Sequence, residues 1–186
     1  MHPFYLSAGV AGPFATFLND PNAPEHRDPE TLGRALFDNA SFDDWASLFA
    51  ANTFSVYFVT TAFLGLLAKG SEDIPGYTSS VINLGSISGV TKLAQTKESV
   101  AILLLRDKAD NGAPTIQFAY NASKSTVTHL TKMLATELAL KNIPIRVCSV
   151  APGVFPSEMT DERVTPDMVE KHTKGIIPVP MGRSGT

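Results

Sequence analysis

The sequence predicts an α/β fold, a parallel sheet flanked by helices, and three observations carry that prediction. Residues 79–84 (SSVINL) and 145–150 (IRVCSV) have the length and the Val/Ile content of buried strands. Between them, residues 120–141 repeat apolar side chains at the helical period, at Val127, Leu130, Met133, Leu134 and Leu138. The order strand, helix, strand, helix, strand then calls for crossover connections, and those join parallel strands.

Taken in order, residues 3–10 read as a short apolar strand ending at Ser7-Ala8-Gly9. The Pro-, Asn- and Asp-rich stretch 12–30 reads as loop, and 32–37 as a helical turn. Ser41-Phe42-Asp43-Asp44 offers an N-cap for a long apolar helix reaching about Ala68, with Gly70 as its stop. Residues 71–78 form a loop. The strand at 79–84 closes on the small residues between Gly85 and Gly89. Asn142-Ile143-Pro144 turns the chain into a second buried strand, which ends at Pro152-Gly153. Residues 158–174 are polar and partly helical, and 178–186 are loop. There is no internal repeat and no low-complexity tract.

Composition narrows the function. At 186 residues the chain can bury a sizeable core, and 44% hydrophobic against 18% charged residues excludes a disordered tail. A net charge of -3 gives no basic field for nucleic acid and no polybasic face for an anionic membrane. The single cysteine, Cys148, permits neither an internal disulfide nor a thiolate metal cluster. The four histidines lack ligand spacing, so no metal site is expected. The expected setting is a reducing, cytoplasmic one. The 24 uncharged positions at 45–68 are long enough to span a bilayer. However, Asn52, Thr53, Thr60 and Thr61 interrupt them, so a helix packed on the sheet is the better reading.

The chemistry centres on Tyr120-Asn121-Ala122-Ser123-Lys124. Tyr and Lys four apart share a helix face. A phenol titrates near ~10, and a neighbouring ammonium favours its ionised form, so the pair suits general acid/base work. Such pairs are also common on ordinary helix surfaces. The strand ends at 85–89 and 151–153 add context, because ligands of parallel sheets bind beyond the carboxyl ends of strands. Ser86 could hydrogen-bond a substrate carbonyl and the Tyr120 oxygen, or simply satisfy its own backbone in a turn. Gly85-Ser86-Ile87-Ser88-Gly89 puts Ile87 where a nucleophile elbow needs serine, so the hydrolase reading fails.

These pieces together resemble the short-chain dehydrogenase/reductase family, Rossmann-fold enzymes using NAD or NADP. The matching elements are Ser7-Ala8-Gly9, where the family has Asn-Ala-Gly, then Asn52-Thr53, Ser86, the Tyr-x-x-x-Lys pair, and Pro152-Gly153 followed by Ser157. More narrowly, residues 151–160 are similar to 3-oxoacyl-carrier-protein reductases. The resemblance implies hydride transfer between nicotinamide and a small carbonyl or alcohol substrate, with NADP favoured over NAD. It implies that Tyr120 gives or takes the proton, while Lys124 lowers its pKa and holds the nicotinamide ribose. Ser86 would orient the substrate oxygen. Asn52 would hold a water of the proton relay, although a core Asn bonded to backbone reads equally well. Pro152, Gly153, Phe155 and Ser157 would line the nicotinamide end, with Ser7, Ala8 and Gly9 beneath the adenosine side.

Two departures from the family pattern stand out. The glycine-rich phosphate turn, Thr-Gly-x-x-x-Gly-x-Gly, does not occur in the sequence, which begins at what resembles the fourth strand and carries strands 4 to 6 of a partial Rossmann-like sheet. Ser86 and Tyr120 stand 34 positions apart, further than the family's usual spacing. Residues 96–117 are therefore expected to be an insertion of about 20 residues, a translated intron or an active-site flap; loop closure of that length costs little. Two functions follow: an NAD(P)-dependent oxidoreductase, or an inactive chain acting only through subunit association. In the family the two long helices, here 43–68 and 120–141, pair as a homo-oligomer.

Overall fold

In a computed structural model of the chain, residues 3–91 and 117–153 are described. They fall into two compact units. The first comprises Met1–Ala11, Trp45–Val90 and Ala119–Ala151; the second comprises Gly12–Asp44, Thr91–Phe118 and Pro152–Thr186.

The first unit is built on a parallel three-stranded sheet of order β1-β2-β3, with β1 at Phe4–Leu6, β2 at Ser79–Leu84 and β3 at Ile145–Val150. Register aligns Phe4 with Val81 and Val81 with Val147, so these side chains share one face. That face holds the core of Val81, Leu138, Ile145 and Val147, with Phe4, Leu6, Leu64, Leu67 and Leu134 packed around it. The opposite face explains a correction. β3 is not buried on both sides as its composition predicts: Arg146, Cys148 and Val150 are exposed. β1 is also shorter than the expected 3–10.

The apolar stretch after Ser41 is not one helix. Ser41 does cap it: its Oγ accepts from Asp44 N at 3.1 Å, while Asp44 Oδ2 accepts from Ser41 N at 2.8 Å. The helix then runs as α2 (Phe42–Phe49), a wide π turn (Ala50–Phe54), α3 (Ser55–Ala62) and α4 (Leu64–Glu72). The two arms, Phe42–Ala62 and Leu64–Glu72, are bent by 50°. No single helix among the described residues is long and apolar enough to cross a membrane. Gly70 lies inside α4 instead of ending it. A Cβ there would stand 3.1 Å from the buried Ser79 Oγ, so the glycine lets α4 press onto β2.

α5 spans Phe118–Leu140. It ends in a Schellman cap, with Asn142 at φ 54°, Ile143 N donating to Leu138 O at 2.9 Å and Asn142 N to Ala139 O at 3.0 Å. That is the physical content of the turn expected at Asn142-Ile143-Pro144. Its buried face includes the expected Val127 and Leu138, with Leu134 packed on the core; Ser123, Lys124 and Thr131 are buried beside them, and Met133 is exposed.

The described part of the second unit holds two 3₁₀ turns, Thr16–Asn19 and Pro24–His26, and α1 (Pro29–Asp38), inside and beyond what read as loop. Asp28 caps α1 by accepting from Thr31 N at 2.8 Å, and Pro29 occupies the first turn. These bonds and the Arg27 side chain hold the Asp28 carboxyl below the usual carboxylate range. Residues 92–116 and 154–186, which include most of the expected 96–117 insertion and the expected helix at 158–174, lie outside the described residues.

Candidate active site

At the carboxyl end of the sheet the first unit assembles Asn52, Ser86, Tyr120 and Lys124 from three separate stretches of sequence. The π turn supplies Asn52. Its wide geometry buries the consecutive residues Asn52 and Thr53 together. Asn52 Oδ1 accepts from Val10 N at 2.7 Å, and its Nδ2 donates to Val10 O at 2.9 Å and to Ser123 Oγ at 3.1 Å. Thr53 Oγ1 donates to Ser123 O at 3.2 Å, and Ser123 Oγ donates to Tyr120 O at 2.8 Å. One asparagine thus ties the segment after β1 to the turn of α5 that carries the tyrosine. Both protons of its amide group are engaged by protein atoms, so the reading of a core Asn bonded to backbone describes this side chain.

β2 delivers Ser86. Gly85 N donates to Val150 O at 2.8 Å, which carries the parallel ladder one rung past the strand ends. Ser86 then caps a short 3₁₀ turn, Ile87–Gly89, by accepting from Ser88 N at 3.1 Å. Its hydroxyl also favours the ionised form of the Tyr120 phenol. The turn-cap reading of Ser86 therefore holds.

Lys124 is buried, and its Nζ donates to Leu84 O, the last carbonyl of β2, at 3.0 Å. The ammonium lies over the Tyr120 ring, 5.8 Å from its centroid. Burial pushes the Lys124 ammonium below its ordinary 10.5. Burial also pushes the Tyr120 phenol above its ordinary 10.0, and the Ser86 side chain offsets part of that rise. The sequence predicts that Lys124 pulls the phenol down. The net direction is up, because desolvation outweighs the contribution of Ser86.

The remaining expected residues divide. Gly9 belongs to the cluster: a Cβ there would stand 3.3 Å from Lys124 Nζ and 3.4 Å from Asn52 Oδ1, so a side chain at this position would crowd the lysine head. Ser7 and Ala8 are exposed. Pro152 and Gly153 follow β3 directly and belong to the second unit. Phe155 and Ser157 lie outside the described residues. Among the described residues no cluster of His, Cys, Asp and Glu could hold a metal ion.

The sequence reading missed Ser123, Thr53 and the pair Asn83–Thr131, in which Asn83 Nδ2 donates to Thr131 Oγ1 at 2.9 Å. A signal existed. Ser123, Lys124 and Thr131 flank Val127 on one helix face, and polar residues on a face that points at a sheet need partners.

The donor set suits a sugar diol. Lys124 spends one proton on Leu84 O, and its other ammonium protons have no partner among the described residues.

Comparison with known proteins gives concordant findings. A family model described as short chain dehydrogenase matches residues 109–167. A short-chain dehydrogenase/reductase of Stachybotrys chartarum, SAT3, is 32% identical over 155 residues, covering 82% of this chain and 51% of that protein. The rhamnolipids biosynthesis 3-oxoacyl-[acyl-carrier-protein] reductase of Pseudomonas aeruginosa is 29% identical over 81% of this chain and 49% of its own length. The NADP active-site complex of RhlG from Pseudomonas aeruginosa superposes with a TM-score of 0.55 at 26% identity, covering 79% of this chain and 47% of that one. The chain thus spans about half the length of the curated relatives it matches.

Proposed function

The chain belongs to the short-chain dehydrogenase/reductase family, and from that premise we propose that its site serves NAD(P)-dependent reduction of a small carbonyl compound, or oxidation of the matching alcohol. The observation that carries the reading is the buried Lys124, its ammonium 5.8 Å from the Tyr120 ring centroid and bonded to Leu84 O, at the end of the strand that leads into Ser86. The nicotinamide supplies or receives the hydride. Tyr120 gives its proton to the carbonyl oxygen as charge builds there, and takes it back in the reverse direction. Its raised pKa keeps it protonated at neutral pH, the form that reduction needs. Ser86 holds the same oxygen in place. Lys124 would hold the ribose with the ammonium protons that Leu84 O leaves over, and its charge near the phenol would ease loss of the proton. Asn52 acts through Ser123 and Val10, as a positioning residue.

NADP is favoured over NAD, because the RhlG structure, 26% identical, is an NADP complex. Residues 96–117 are read as an inserted segment ahead of α5. The exposed apolar side chains Phe54, Phe58, Met133 and Leu140 suit a homo-oligomer through the long helices. The inactive-chain alternative is not favoured.

The test is titration of NADPH with this chain, followed by nicotinamide fluorescence, and then a reductase assay. Saturable binding is expected. Tyr120→Phe is expected to lower turnover by about 1,000-fold with cofactor affinity kept. Undiminished turnover in that variant would remove Tyr120 from the reaction, and no binding by either form would remove the cofactor assignment.

A further inference from the structure

We propose that Gly89 is a positioning residue for the Ser86–Tyr120 pair. The inference rests on the reading of Tyr120 as proton donor and adds to it a residue that touches the helix behind the tyrosine.

The carrying observation is a close approach of two backbones. A Cβ built on Gly89 would stand 2.6 Å from Lys124 C, 2.7 Å from Ser125 N and 2.8 Å from Lys124 O. All three atoms are main chain, so no rotamer change relieves the clash. Carbon atoms settle at about 3.5–4.0 Å, so any side chain at Gly89 demands a displacement on the order of 1 Å. Two elements could yield. α5 runs for 23 residues and is hydrogen-bonded on both sides of Lys124. The partner is a three-residue 3₁₀ turn. The short turn is the softer element and moves.

That turn is one hydrogen-bonded piece with Ser86. Gly89 N donates to Ser86 O at 3.0 Å, and Ser88 N donates to Ser86 Oγ at 3.1 Å. A shift at Gly89 therefore carries Ser86 away from α5, and with it from the Tyr120 phenol. A shift of about 1 Å is enough to take the serine hydroxyl out of hydrogen-bond reach of the phenol. Gly89 thus allows the turn to lie flat on the peptide between Lys124 and Ser125, and that contact sets the distance between the serine and tyrosine hydroxyls. The charged group facing the phenol in this cluster is Lys124, on α5 itself, and a movement of the turn leaves it in place.

The experiment titrates Tyr120 by NMR of ¹³C-labelled tyrosine in the full chain, the signal being assigned through its loss in Tyr120→Phe. Ser86→Ala is expected to raise the Tyr120 pKa. Gly89→Ala is expected to raise it equally, and the double variant to add nothing further, since both remove the influence of the Ser86 hydroxyl on the phenol. A folded Gly89→Ala chain that titrates like the unsubstituted one overturns the proposal, as do additive shifts. The unsubstituted chain offers an arm that needs no variant: cross-relaxation between the Gly89 α-protons and the Ser125 amide is expected, and its absence also overturns the proposal. None of these readouts uses turnover, so a chain that lacks reductase activity and still shows the coupling would refute the proposed function alone.

Discussion

In its first two turns α5 buries Ser123 and Lys124 against polar atoms: Asn52, Thr53 and the Leu84 carbonyl. Near its other end it buries Leu138 among Val81, Ile145 and Val147. The two regions lie on one helix and press on one sheet, yet different physics holds them. Apolar contact depends on area and tolerates small shifts in direction. Hydrogen bonds fix atoms to within tenths of an ångström and contribute little net stability, while a lost partner is costly. The apolar end therefore supplies stability, and the polar end supplies geometry. Thr131 marks the boundary: it is buried like the core residues but bonded to Asn83 and to Val127 O like the site residues.

Substitutions can break or sharpen this contrast. The largest expected effect is Leu138→Ala, which should destabilise the chain by about 2–5 kcal/mol in urea unfolding while leaving the turnover of the folded fraction unchanged. A loss of turnover at unchanged stability would reverse the roles assigned to the two ends. Asn52→Ala comes next, at about 1–3 kcal/mol, because Val10 and Ser123 lose partners in a buried place. Unlike Leu138→Ala it should also lower kcat, with cofactor affinity nearly kept, and full recovery of kcat below the unfolding transition would argue against its positioning role.

The smallest effect is in the pH dependence of stability. The folded-state pKa of Lys124 is lowered, so between that value and its ordinary 10.5 the unfolded chain binds more protons, and stability should rise with pH across this window. Lys124→Met should flatten that rise. The folded-state pKa of Tyr120 is raised, so stability should fall once pH climbs past its ordinary 10.0, and Tyr120→Phe should remove that fall. Denaturant midpoints across alkaline pH check both signs, and a Lys124→Met chain with an unaltered slope would mean that the ammonium is hydrated.

How much was legible in the sequence follows the same division. β2 and β3 match the expected 79–84 and 145–150, and α5 begins and ends close to 120–141, because length, branching and period report buried area. The break of the expected 43–68 helix at Phe63 left no trace in that pattern: no proline stands there, and hydropathy carries no information about a bend. α1 was a different kind of miss. Asp28-Pro29-Glu30 is a readable helix start that composition alone had assigned to loop. In the site, Ser86, Tyr120 and Lys124 were legible as motif residues. Asn52 was legible as a residue but not in its bonding, and Gly89 not at all, since close approach of two backbones depends on which strand lies beside which helix.

The π turn at Ala50–Phe54 has a consequence for changes of chain length. A regular α-helix advances about 100° per residue, so deleting one residue inside α3 or α5 swings every later side chain to another side. A bulged turn already holds a surplus residue, and losing one there would restore ordinary winding while the flanking helices kept their orientation. Lineages that shorten this stretch by a single codon would keep the scaffold. They would forfeit the arrangement in which neighbours 52 and 53 both grip Ser123, so such a shortened relative should fold and yet hold its tyrosine loosely.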